Sequence, residues 1–144
     1  MQSPILSQIS QTKPQKAWVV FSGQADIGWL KILKNGFRHC YIVLNDGDHW
    51  ISIDPLSCHT EIMVHHIAPD FDLPAWLRAR NLKVVPAPLN PRTTQAPWMI
   101  HSCVEAVKRM LGIHDIRIIT PYQLYKKLVK AAYCCPQTYL NSEN

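Results

Sequence analysis

The run FRHCYIVLNDGDHWISIDP, residues 37–55, constrains this chain more than any other stretch. It is two extended segments of alternating character around Asp46-Gly47. Asp-Gly between such segments signals a two-residue hairpin, because both central positions of the favoured turn need positive φ. A loop made of Asp46 and Gly47 sets Asn45 opposite Asp48, Val43 opposite Trp50, Tyr41 opposite Ser52 and His39 opposite Asp54. In that register His39 and Asp54 share one face, with Cβ atoms roughly 5 Å apart. The same alternation sends Cys40 to the other face, with Ile42, Ile51 and Ile53. A histidine facing a carboxylate is a proton-transfer pair with its orienting group in place. It is equally an ordinary cross-strand contact.

The flanking segments complete an α+β domain. AWVVFS (17–22) is β-branched and aromatic and reads as a buried strand. ADIGWLKILKNG (25–36) has apolar residues at helical spacing and stops at Asn35-Gly36, which predicts a short helix. CHTEIMVHHIAP (58–69) adds a strand through Ile62 and Val64. FDLPAWLRARN (71–81) is one or two helical turns. LKVVPAPL (82–89) starts as a strand that its prolines confine to a sheet edge. IRIIT (116–120) is expected to be a strand, and Thr120-Pro121 with Gln123 to cap a helix running to about Ala132. The expected organisation is a loose arm over 1–16, a single domain over 17–135 and a tail over 136–144.

The second chemistry-bearing stretch is HSCVEAVKRMLG (101–112). Ser102 and Glu105 make the capping box Ser-x-x-Glu, which puts Cys103 at the first helical position. Cys103, Ala106, Val107, Met110 and Leu111 then form the apolar stripe, with Glu105, Lys108 and Arg109 facing out. Free amides and the helix dipole at that end favour a thiolate. Cysteine is also among the most buried residue types, so a core role for Cys103 stands beside the nucleophilic one.

Composition narrows the setting. In 144 residues, 47% hydrophobic and 17% charged, there is material for one domain with its own core. The net charge of +5 is spread along the chain. Its one loose cluster, Lys126, Lys127 and Lys130, reads as a solvated helix face rather than a nucleic-acid groove. The 5 cysteines are irregularly spaced and odd in number, which argues against a disulfide framework. No apolar run reaches membrane-spanning length, and the first residues lack the pattern of a signal peptide. A cytoplasmic location is the default expectation; delivery in a phage particle or by non-classical export would leave the same sequence.

Strand, short helix, histidine-bearing strand, partner strand and a late cysteine opening a helix form a recognisable order. Through WVVFSG, DIGWLKILKNGFRHCYIVL, HSCVEAVKRMLG and TPYQLYKKL, the chain resembles the circularly permuted papain-like cysteine hydrolases. That is the permuted NlpC-type branch, which also holds lecithin–retinol acyltransferase-like proteins. The resemblance implies Cys103 as nucleophile, His39 as base and a polar third residue on the following strand. Asp54 fills that place; His49 lies nearby, but register puts it on the opposite face from His39.

The function so implied is a thiol hydrolase, a cysteine peptidase or amidase acting on a peptide, amide or ester through a covalent acyl-enzyme. An acyltransferase of the same fold is the first alternative. A non-enzymatic module of a phage or secretion assembly is the second. The Cys103 amide is the expected oxyanion donor, with a side-chain donor drawn from Tyr41, Trp18 and Gln24. No cofactor is called for. His39, Cys40, His49, Cys58, His59, His65, His66, His101 and Cys103 are all possible ligands, yet their spacing fits no familiar metal grammar.

Overall fold

The computed structural model describes residues 15–24, 31–89 and 94–134. Most of the expected arm, the first part of the 25–36 helix and the tail lie outside these residues. Five antiparallel strands form one sheet in the order β4-β3-β2-β1-β5. They are β1 (Lys16–Ser22), β2 (His39–Asn45), β3 (Trp50–Pro55), β4 (Thr60–His65) and β5 (Lys83–Ala87). Among the described residues, the α-helices that accompany them are α1 (Leu73–Arg78), α2 (Cys103–Met110) and α3 (Pro121–Cys134). The α+β class expected from sequence is therefore observed. β5 contains Pro86 and lies at a sheet edge, where a missing N–H costs no ladder bond.

The sheet buries both faces at its centre. On one face Val19, Phe21, Cys40, Ile42 and Val85 pack with Val104, Val107 and Leu111 of α2 and with Leu124 and Leu128 of α3. On the other, Val20, Val43, Trp50 and Val84 pack with Leu73 and Leu77 of α1. β1 alternates between these two cores, so its run of apolar residues is needed on both sides. At the end of the sheet where β2 begins, Phe37 is buried with its ring 5.8 Å from Phe21 and 4.8 Å from Tyr125. This aromatic cluster pins the chain two residues before His39.

The hairpin register differs from the sequence expectation. Ile42 pairs with Ile53, Val43 with Ser52, Leu44 with Ile51 and Asn45 with Trp50. The loop is Gly47-Asp48, closed by the Asp46 N–H donating to the His49 carbonyl at 3.2 Å. The glycine takes the first loop position with φ +94°, a conformation that L side chains resist. Asp46 instead works from the flank: its Oδ1 accepts the amides of Asp48 at 2.8 Å and His49 at 2.6 Å. Every partner is thus displaced by two residues. Because two is the strand period, each residue keeps its predicted face.

Two other expectations are corrected. IRIIT is not a strand: the Ile118 N–H turns back to the Asp115 carbonyl, Ile118 alone is buried, and Ile116 and Ile119 are exposed. In α2, the buried side chains are Val104, Glu105, Val107 and Lys108, so Glu105 and Lys108 do not face out. The buried stripe is turned by about one residue from the one the apolar pattern suggests, because an ion pair takes part of the core-facing side. That rotation leaves Cys103 half-buried at the margin.

Candidate functional site

Cys103 is the first residue of α2, and Ser102 is its N-cap, with Oγ accepting the Glu105 amide at 3.1 Å. The expected capping box is only half formed. The Glu105 carboxylate does not turn back to Ser102; Oε2 takes the Lys108 ammonium at 2.8 Å and Oε1 the Arg109 guanidinium at 2.9 Å. Lys108, 1% exposed, also donates to the Ile118 carbonyl at 3.1 Å. Arg109 reaches the Pro97 carbonyl at 3.0 Å. One buried carboxylate thereby ties α2 to the segments on both sides of it, including the strand-like loop that delivers Cys103. A buried charge tolerates this only when its hydrogen bonds are met, as they are for Glu105.

The nucleophile candidate does not sit where the hairpin faces alone suggested. The expectation placed the start of α2 on the face of His39 and away from that of Cys40. Val104, Val107 and Leu111 instead pack on the face of Cys40 and Ile42, and Cys103 packs against that same cluster. His39 nevertheless acts on the Cys103 thiol, and Cys103 on the imidazole, each favouring the other's charged form. Adjacent strand residues point to opposite faces, so both His39 and Cys40 can reach one sulfur only at the end of the ladder. His39 is the first residue of β2 and lies opposite Ser22, the last residue of β1.

His39 Nε2 lies 2.6 Å from Asp54 Oδ1, with the two side chains 16% and 25% exposed. This occupies one ring nitrogen and leaves Nδ1 for the thiol. The ring also stacks on Tyr41, with centroids 6.4 Å apart and planes 28° apart. Three of the residues singled out from the sequence, Cys103, His39 and Asp54, are therefore brought together, with His39 bonded to Asp54 and influenced by Cys103.

The electrostatics favour an ion pair. Burial works against a charged His39, but hydrogen bonds and charge from the Cys103 thiolate and Asp54 outweigh it and raise the imidazole to about 9. For Cys103 the largest influence is the hydrogen bond from the Cys40 thiol. It acts with His39 and the Cys40 backbone N–H against burial, and brings Cys103 down to about 5. Cys40, fully buried, moves the opposite way: the neighbouring Cys103 thiolate and desolvation hold it protonated as a donor. Between these limits the site holds thiolate beside imidazolium, the combination that attacks an electrophile and then delivers a proton.

The remaining expected residues divide. Tyr41 walls the imidazole, and its phenol is held protonated by burial and by Asp54. Trp18 is four residues back along β1, opposite Val43, with its ring 5.3 Å from that of Trp50 and tilted 41° to it. It lies about 13 Å from the His39 level at the usual strand rise, too far to serve the Cys103 sulfur. Gln24 follows the end of β1 with an exposed side chain, its N–H going to Ser22 Oγ at 3.0 Å. His49 is in the turn, 3.8 Å from Asp46, and takes no part. A cleft of about 370 Å³ lined by Arg78, Leu82, Lys83 and Tyr125 holds none of the three converging residues. Among the described residues no three His, Cys, Asp or Glu side chains are grouped to hold a metal ion, and no helix is long and apolar enough to cross a membrane.

The role of Cys40 escaped the sequence reading. Its position next to His39 was visible, but alternation assigns it to the core, and only the placement of α2 across the end of the sheet turns it toward Cys103. No family model matches this chain, and no match was found among curated proteins or solved structures.

Proposed function

We propose that this protein is a thiol hydrolase that cleaves a peptide, amide or ester bond through a covalent acyl-enzyme. Cys103 attacks the carbonyl as thiolate. His39, already protonated, gives its proton to the leaving amine or alcohol, then takes one from the water that releases the acyl group. Asp54 holds the imidazole by Nε2 and stabilises its charged form. The Cys103 amide, unused by the helix at its first position, is the oxyanion donor in this reading. The observation that carries the proposal is His39 held by Asp54 at 2.6 Å, beside a Cys103 thiol brought down to about 5.

The chain order, histidine strand before cysteine helix, also suits the permuted papain-like arrangement of the NlpC-type hydrolases. The five-stranded sheet with α2 laid against β2 is compatible with that architecture. Such an assignment remains part of the proposal and adds no residue to the site.

The test is selective labelling. A haloacetamide at pH 6 should modify Cys103 well before the exposed Cys58 and Cys134, and His39→Ala should slow it. A chromogenic thioester or activated ester should then give a burst with one acyl group on Cys103. Equal labelling of the exposed thiols, unaffected by His39→Ala, would remove the basis for a hydrolase.

A further inference from the structure

Cys40 is a second thiol at the site that the hydrolase chemistry does not consume. It is 0% exposed, at the start of β2, opposite Phe21 and inside the cluster against which Cys103 packs. α2 lies against β2 here, Cys103 packs on the cluster that holds Cys40, and the Cys40 thiol and backbone N–H both favour the Cys103 thiolate. Cys103 itself is only half-buried. Cys40 is therefore closed to solvent, whereas the Cys103 residue keeps part of its surface open.

We propose that Cys103 and Cys40 form an oxidative modification site, in which Cys103 reacts with a hydroperoxide and Cys40 resolves the product as a disulfide. The Cys103 thiolate attacks the terminal peroxide oxygen; the S–O bond forms and the O–O bond breaks. Cys103 becomes a sulfenic acid, and the departing alkoxide or hydroxide is protonated to alcohol or water. The Cys40 sulfur then attacks the sulfenic sulfur; the S–S bond forms and the S–O bond breaks. The hydroxyl leaves as water with the Cys40 proton. Two thiols lose two electrons in all, and one hydroperoxide gains them.

Accessible, ionised cysteines are the ones that oxidants reach first, and a neighbouring thiol diverts the sulfenic acid from irreversible sulfinic acid. The buried, protonated state of Cys40 keeps it from reacting with the oxidant itself, while its contact with Cys103 makes it the first thiol a sulfenic acid there would meet. The bridge would join β2 to α2 and take the nucleophile out of use until a thiol reductant reopened it. This does not depend on which bond Cys103 cleaves in a substrate.

The experiment treats the full chain with hydrogen peroxide in slight excess, alkylates free thiols and maps peptides without reduction. The expected result is a protein lighter by two hydrogens, a peptide pair joined through Cys40 and Cys103, and recovery of haloacetamide labelling at Cys103 after reduction. Cys40→Ser should instead leave a sulfenic acid that a cyclic 1,3-dione traps and that proceeds to sulfinic acid. Sulfinic acid at Cys103 in the unaltered chain with no Cys40–Cys103 peptide, or a bridge from Cys103 to Cys58 or Cys134, would overturn the assignment. Because the unaltered protein decides it, poor folding of the Cys40 variant does not obscure the outcome. A mapped bridge in a protein without esterase burst would retain this inference while removing the proposed hydrolase.

Discussion

The His39 imidazole and the Asp54 carboxylate meet at 2.6 Å although the ladder does not set them face to face. With Ile42 paired to Ile53, Asp54 falls level with Tyr41, one step further along the same face, and reaches His39 diagonally. The carboxylate thus holds the ring from the side on which Tyr41 stacks. Asp54→Asn preserves size and removes charge, so His39 should lose part of its upward displacement. Turnover of an activated ester should fall by about 10²-fold or more, and its alkaline limb should move to lower pH. An unchanged alkaline limb would mean that Asp54 does not govern the imidazole.

The two displaced groups set the pH window. Cys103 is lowered to about 5, so haloacetamide labelling should rise through pH 5 and stay high above it. His39 is raised to about 9, so steps that need imidazolium should fail as pH rises through 9. Turnover should therefore be bell-shaped where labelling is a single ascending step. Stopped-flow labelling and a pH-rate profile on the same preparation separate the two.

Cys40 donates to the thiolate, so removing the donor should make the thiolate less stable. Cys40→Ala should raise the pH of half-maximal labelling by about 1 unit, the size of one charge-assisted hydrogen bond. Cys40→Ser, which keeps a donor, should restore much of the difference. Labelling rates across pH read this directly, with circular dichroism confirming that each variant is folded.

Lys108→Met leaves the buried Glu105 carboxylate with Arg109 alone. Breaking a buried pair at one end should cost about 3–5 kcal/mol, read as a lower denaturant midpoint. Replacing Glu105 by Gln as well should recover part of the loss, since no charge is then stranded. Equal losses in the single and double variants would show that packing, not charge, governs the site.

Much of the site was legible because it depends on periods that are local. Period-two alternation assigned His39 and Asp54 to one face without knowledge of the rest of the chain, and Ser102 marked the start of α2. The hairpin register was not legible, since Asp46-Gly47 and Gly47-Asp48 are both acceptable loops. What decides between them is the flank role of Asp46, whose carboxylate caps two amides. The rotation of α2 was hidden because Glu105 and Lys108 read as solvent-facing until their mutual pairing and the Ile118 carbonyl are seen. IRIIT has strand-like residues, but strand preference is realised only with a partner, and the Asp115 side chain turns the chain by accepting the Arg117 amide at 3.0 Å. The approach of Cys40 to Cys103 joins distant segments and has no local signature.

The displaced register of the β2–β3 hairpin has a further consequence, for length variation between related chains. Adding or removing two residues in the turn would slide the carboxylate along its strand yet leave it above the same face, within a side chain's reach of the histidine. A change of one residue would invert β3, present Ile53 to His39 and drive Asp54 toward the apolar layer beneath α2. A strand that carries polar residues of the candidate site at its end is thus protected from register slippage in steps of two but not of one.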